Sequence, residues 1–366
     1  MTLDDRSRLV RTLEVQRDDL RVSRVVEQPL PTLSDGQVLL GVDRVGLTAN
    51  NVTYGVTGES LGYWQFFPAE GAWGRLPTWG FATVVASATP GVATGTRLFG
   101  YLPLGTHLVV EPTRTGSSGF TDGSAHRAAL PGPYNAYRAV DADVLHRPDA
   151  EDAQAVLLPL YLTSFVLEDY LADQAWFDAS RVLLTSASAK TTLGTAMLAS
   201  RRPHRPRVVG LTSARNVAFV QGLGCYDEVL TYDGLGSLDT GVPSVLVDVA
   251  GDQRVRDAVH ASLGDRLRAS IAVGLSHWDS GTPSAPPSGP RPTFFFAPSQ
   301  VDKRVADWGA GEYQRRLSTA WHALVDETLG WLTIREVDGI DAAPDALARL
   351  LEGSVDPREA FVVVCR

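Results

Sequence analysis

The sequence predicts a two-part α/β protein: an antiparallel, barrel-like β domain joined to a doubly wound parallel sheet. Three observations predict it. The first 110 or so residues break into short apolar segments separated by glycines and prolines, the pattern of β-strands and turns. From Arg181 onward, strand-like segments alternate with helix-length runs, as parallel βαβ units do. At the first of these units an apolar strand, 181–185, passes through Ser186-Ala-Ser-Ala-Lys-Thr-Thr192 into a helix-like run ending at Ser200. A second strand, 207–211, follows. Such a strand-to-helix turn aims backbone amides at an anion, usually the pyrophosphate of a dinucleotide. The glycines of the usual G-x-G-x-x-G are missing here.

Taken in order, the β segments of the first part include 37–45, 82–86 and 97–102. Residues 150–171 read as a helix. The parallel strands are expected at 181–185, 207–211, 228–231, 244–248 and 269–273. Residues 279–293 are rich in Pro, Gly and Ser and read as a surface loop. A long helix is expected from about Gln300 to Trp331, broken near Gly309 and Gly311. The tail returns to alternation, with strands 332–337 and 361–365 around a helix at 344–353.

Composition narrows the function. At 366 residues the chain is long enough for two cores. Its net charge of -9 argues against nucleic acid as a partner, which would call for a basic face. Two distant cysteines, Cys225 and Cys365, form no disulfide framework and no cysteine-rich zinc site. A reducing cytoplasm fits them. The charged N-terminal stretch is not a signal peptide, and the longest apolar run, 155–162, is too short to span a bilayer. The seven histidines show no paired ligand spacing, and there is no Gly-x-Ser-x-Gly elbow for a serine hydrolase. Lys190-Thr191 ends like a phosphate-binding nucleotide loop but lacks the glycines before it.

Four segments, in order, carry a resemblance. They are Val38–Asn51, Leu76–Ala86 followed by Gly95–Gly100, Pro159–Phe165, and Phe219–Leu230. Together they resemble the medium-chain dehydrogenase/reductase superfamily, in its zinc-free quinone-oxidoreductase-like branch. More narrowly, the chain resembles a bacterial family known as a domain of unknown function, DUF2855. The resemblance covers nearly the whole chain. It implies a GroES-like β-barrel domain, residues 1–148 with 297–366, and a Rossmann domain, 149–296. Zinc-dependent members place Cys and Gly-His-Glu where this chain has Val45 and Gly80-Phe-Ala, so no catalytic zinc is expected.

The resemblance also nominates a cofactor and residues. Ser186, Ser188, Thr191 and Thr192 offer hydroxyls to phosphate and Lys190 a charge. Ser213 and Arg215, just past the second parallel strand, suit the 2′-phosphate of NADPH, where Asp or Glu would favour NADH. Thr163 and Ser164 either reach the nicotinamide end or bond back along their own helix. Asn51 and Tyr54 stand where such proteins place polar groups near the nicotinamide, and Tyr54 could donate a proton; it could equally be half-buried packing. Tyr63, Trp64, Phe66, Phe67 and Trp73 crowd a Gly/Pro-containing stretch. They read as a wall over an apolar substrate, with Arg75 available to an anion, or as a satellite core or dimer contact.

The expectation is an NADPH-dependent, zinc-independent reductase of an apolar enone, quinone or carbonyl. The alternatives are a non-redox isomerase or lyase, or a cofactor-binding protein without catalysis. Oligomeric state is left open by the sequence; the resemblance implies a homodimer paired through the last strand of the parallel sheet, as relatives of this fold often pair.

Overall fold

The computed structural model describes residues 9–273 and 288–366. It holds two compact units, the chain up to Pro159 with Glu327–Arg366, and Leu160–Asp326. The first unit runs through β1 (Leu9–Gln16), β2 (Ser23–Pro29), β3 (Val38–Leu47), α1 (Ala49–Val56), β4 (Trp73–Gly74), β5 (Pro77–Ser87) and β6 (Arg97–Pro103). It continues through β7 (His107–Val110), β8 (Pro112–Gly116), β9 (Gly119–Asp122), β10 (Ala136–Ala139) and the start of α2 (Glu151–Asp173).

In the second unit come β11 (Arg181–Leu184), α3 (Lys190–Ser200), β12 (Arg207–Thr212), α4 (Val217–Gly222), β13 (Glu228–Thr231) and β14 (Ser244–Asp248). Then follow α5 (Gln253–Leu263), β15 (Leu267–Ala272), β16 (Thr293–Phe294), α6 (Ala297–Trp308) and α7 (Ala310–Leu329). The chain returns to the first unit with β17 (Thr333–Asp338), α8 (Ala343–Leu351) and β18 (Glu359–Val364).

The first unit is the expected β-barrel. Its large sheet has the order β17-β18-β3-β5-β6-β10-β9-β8, with β7 also on β3, and β2-β1-β4 forms a second sheet. Apart from β17 on β18, the pairs are antiparallel. The core is built on β3, whose Val38, Leu40, Val42, Val45 and Leu47 join Leu76, Leu98, Leu102, Phe361 and Val363. Two glycines allow the close approaches. A Cβ on Gly80 would lie 2.1 Å from the Arg44 carbonyl oxygen across the β3–β5 pair, and one on Gly46 would lie 2.4 Å from the Ala155 carbonyl of α2. Pro159, one turn after Ala155, has no N–H to give that carbonyl. Arg97 ties the start of α2 to the barrel by bonding Glu151 and Asp43, and Arg44 reaches Asp152 at 2.6 Å.

α2 is 23 residues long and matches the helix expected over 150–171. Length and composition would let it cross a membrane, but 61% of its most apolar window is buried inside the protein. It reads as a core helix.

The second unit is a parallel sheet of order β13-β12-β11-β14-β15-β16, the doubly wound order in which sequence direction reverses between the first and fourth strands. Leu183, Val209, Leu211 and Leu246 meet Val255, Val259 and Leu263 of α5 in its core. The long C-terminal helix is broken, as expected, at Gly309, whose φ of 82° suits glycine. The boundaries differ from the expected 148/149 and 296/297. α6 and most of α7 belong with the parallel sheet, because Gln300 and Arg304 bond Asp169, and Trp321 packs on Tyr161. Most of the expected loop at 279–293 lies outside the described residues; its last residue, Thr293, opens β16.

Candidate functional site

In the second unit, the turn from β11 to α3 lies beside the reversal point of the strand order, where this class of sheet binds its ligands. Ser186 has φ 52°, a left-handed conformation that glycine normally supplies. The missing glycine freedom is found across the sheet instead. A Cβ on Gly210 of β12 would lie 2.8 Å from the Ala187 side chain and 2.9 Å from the Tyr226 ring, so glycine there lets the turn lie flat on its neighbour. Tyr226 fastens it by donating to the Ala187 carbonyl at 2.8 Å. The helix then starts at Lys190 after Ala189, a residue with no capping side chain. A helix start without a capping side chain attracts a phosphate.

Other residues nominated for the cofactor fall around this turn. Ser188 accepts from the Asn216 amide at 3.0 Å, and Thr192 donates to the Thr185 carbonyl at 3.2 Å. Arg215 is exposed in the 3₁₀ turn that follows Ser213, directly after β12. Thr163 is half-buried on α2. Ser164 is different: fully buried, it donates to the carbonyls of Leu160 and Thr191. A Cβ on Gly194 would meet its hydroxyl at 2.6 Å. It serves helix packing, the backward-bonding option of the two that were open.

Three residues that the sequence reading did not single out complete the turn. Thr185 donates to Asp248 at 2.9 Å, bridging the ends of β11 and β14, and accepts from the amides of Val249 and Ala250. The Tyr232 hydroxyl accepts the Ser186 amide at 3.1 Å. Asp248, closing an apolar strand, was visible as a polar residue at a strand end; Tyr232 carried no such signal.

In the first unit, Tyr54, Phe66, Phe67 and Tyr101 form a separate buried cluster, flanked by Tyr63, Trp79 and Tyr134. The Tyr54 and Tyr63 rings are 4.6 Å apart between centroids and tilted by 46°, and Tyr134 lies edge-on to Tyr54 and 4.8 Å from Tyr101. The Tyr54 hydroxyl accepts from the Trp79 indole at 3.2 Å. The hydroxyls of Tyr63 and Tyr134 are 3.3 Å apart. Burial pushes the Tyr54 phenol well above its ordinary range, so it holds its proton at neutral pH.

Arg127 fixes this arrangement from behind. It is buried, paired with Asp122 at 2.7 Å, and donates to the Tyr134 carbonyl at 2.8 Å. Its guanidinium lies 5.3 Å from the rings of both Phe66 and Phe67.

Of the residues nominated here, the cluster gathers Tyr54, Tyr63, Phe66 and Phe67 and leaves out the others. Trp64 sits in the main barrel core against Gly58 and Gly74. Trp73 lies on the smaller sheet under the Arg24 guanidinium, 4.0 Å away. Arg75 is spent on the buried Glu14, which Arg24 also contacts. Asn51 closes the capping box of α1 and donates to the Pro77 carbonyl. Tyr134 and Tyr101, far away in sequence, were not foreseen. Among the described residues no group of three or more His, Cys, Asp or Glu could hold a metal.

Comparison with known proteins places the fold. No curated protein matches the sequence. CurA from Vibrio vulnificus, solved in complex with NADPH, aligns with a TM-score of 0.59 at 16% identity, over 97% of this chain and 99% of that one. The quinone oxidoreductase from Coxiella burnetii aligns at 0.55 and 15%, over 98% and 100%. The yhdH oxidoreductase from Salmonella enterica, in complex with NADP, aligns at 0.55 and 16%, over 97% and 100%. These likenesses show the fold, a GroES-like barrel and a Rossmann sheet. Residues 45–356 match the model of the family described as Protein of unknown function (DUF2855), and the chain belongs to that family.

Proposed function

We propose that this chain is an NADPH-dependent reductase that works without zinc on an apolar enone, quinone or carbonyl compound. The observation that carries the reading is the β11–α3 turn. A serine held in a glycine's conformation and a helix start with no capping side chain together make a phosphate cradle, at the place where this sheet order binds nucleotides. The residues fit a dinucleotide phosphate. Arg215 and Ser213, directly after β12, fit a 2′-phosphate better than a bare ribose hydroxyl. The bound NADPH and NADP of the solved relatives support the same choice. Bound here, NADPH would supply a hydride to an electrophilic carbon.

The remaining steps belong to the chain's own side chains. Lys190 and the first amides of α3 hold phosphate. Tyr54, kept protonated by burial, gives the substrate its proton. The aromatic rings around it favour a planar, apolar substrate and exclude water. A non-redox reading that used Arg75 as the substrate's anchor loses that anchor to Glu14.

Calorimetric titration with NADPH and NADH tests the reading. Micromolar binding of NADPH, at least about tenfold tighter than NADH, is expected, because one lost charged contact is worth roughly a factor of ten or more. Failure to bind either nucleotide would overturn it.

A further inference from the structure

Ser186, with φ at 52°, is held left-handed by its neighbours rather than by its own chemistry. A non-glycine residue stays in that region only where the surrounding structure over-determines it. Two peptide planes meet at its Cα, and they are pinned differently. The plane that follows is held by backbone: the Ser186 carbonyl accepts from the Ala189 amide at 2.7 Å, and the Ala187 amide donates to the Leu211 carbonyl at 3.0 Å. The plane that precedes, whose direction φ sets, is held by side chains. Thr192 donates to its carbonyl, on Thr185, at 3.2 Å, and the Tyr232 hydroxyl accepts its amide, on Ser186, at 3.1 Å. Thr192 belongs to the helix that the turn opens, so it moves with the turn. Tyr232 comes from outside, directly after β13, two strands away from β11 in the sheet order. Its ring packs against the core of the parallel sheet. Thr231 before it accepts from the Gly234 amide at 3.0 Å, which fixes the turn that carries it. Burial raises the pKa of the phenol, so its oxygen stays neutral beside an anion in the turn.

We infer that Tyr232 takes the place of the missing glycine: by accepting the Ser186 amide, it keeps the turn left-handed and the start of α3 open to a phosphate. The inference rests on reading this turn as the nucleotide's phosphate site. Glycine would reach the same conformation without strain. Serine reaches it here because a phenol anchored in the core of the sheet receives its N–H. Tyr232 acts through the turn and is a positioning residue. Without its hydroxyl, Ser186 relaxes toward ordinary backbone space, and only the fraction of molecules that keeps the left-handed turn binds. The pyrophosphate is common to both nucleotides, so NADPH and NADH lose affinity together, unlike the selective loss expected at Arg215.

The test uses the full chain and calorimetric titration with NADPH and NADH. Tyr232→Phe keeps the ring in the core and removes the oxygen. It is expected to weaken both nucleotides by on the order of tenfold, the population cost of a left-handed residue left unsupported. Adding Ser186→Gly to Tyr232→Phe should restore both affinities to within about threefold of wild type, because glycine needs no such support. Amide hydrogen exchange at Ser186 gives a readout without nucleotide, and Tyr232→Phe should speed it by on the order of tenfold. If the double variant stays as weak as Tyr232→Phe, the hydroxyl serves the nucleotide or the core directly, and the inference is overturned. If Tyr232→Phe keeps the wild-type affinities and exchange rate, the inference is overturned and the reductase reading stands. If the wild-type protein binds neither nucleotide, both fall together.

Discussion

Glu14 lies buried on β1, and its carboxylate takes guanidinium groups from Arg24 and Arg75. A buried carboxylate is costly unless paired and hydrogen-bonded. Arg75 therefore has a structural task that its position next to an aromatic segment did not reveal. Arg75→Ala should destabilise the protein by about 1–2 kcal/mol, because Arg24 remains to cover one oxygen. It should leave nucleotide affinity and turnover within twofold of wild type. Urea unfolding beside steady-state kinetics checks both, and loss of substrate binding with unchanged stability would return Arg75 to the ligand.

At the scale of elements, the turn between β11 and α3 shows how a fingerprint can be absent from the sequence and present in the backbone. Ser186 occupies left-handed space that costs a non-glycine residue roughly 1–2 kcal/mol. Ser186→Gly should therefore stabilise the protein by about 1 kcal/mol, read as a rise in thermal midpoint. If backbone amides hold the phosphate, NADPH affinity is retained in this variant. If the Ser186 hydroxyl holds it, affinity falls severalfold. The parallel strands and the return of the tail were legible because apolar runs alternate with helix-length segments and change register at glycine and proline. The turn's glycine substitute was not legible, because Gly210 lies on a neighbouring strand and only the fold brings it to Ala187. The tyrosine cluster was half legible for the same reason. Tyr54, Tyr63, Phe66 and Phe67 are close in sequence, whereas Tyr101 and Tyr134 arrive on β6 and on a 3₁₀ turn. The domain boundary was misplaced because α6 and α7 owe their allegiance to Asp169 and Tyr161 on α2, contacts that no periodicity encodes.

At the scale of the whole molecule, a ligand that binds the folded chain and not the unfolded one raises stability by RT ln(1 + [L]/Kd). At a hundred times its Kd, NADPH should add about 2.7 kcal/mol. For a 366-residue chain that is a rise of a few degrees in thermal midpoint. NADH at the same concentration should add much less, since it lacks the phosphate that Arg215 and Ser213 would meet after β12. The two units have separate cores, so the shift should be largest in whichever transition reports the parallel sheet. Arg215→Ala should bring the NADPH shift down to the NADH shift and leave the midpoint of the unliganded protein unchanged, because the side chain is exposed. An equal loss of both shifts would instead place Arg215 at a phosphate common to the two nucleotides, and the preference for NADPH would have to come from elsewhere on the second unit.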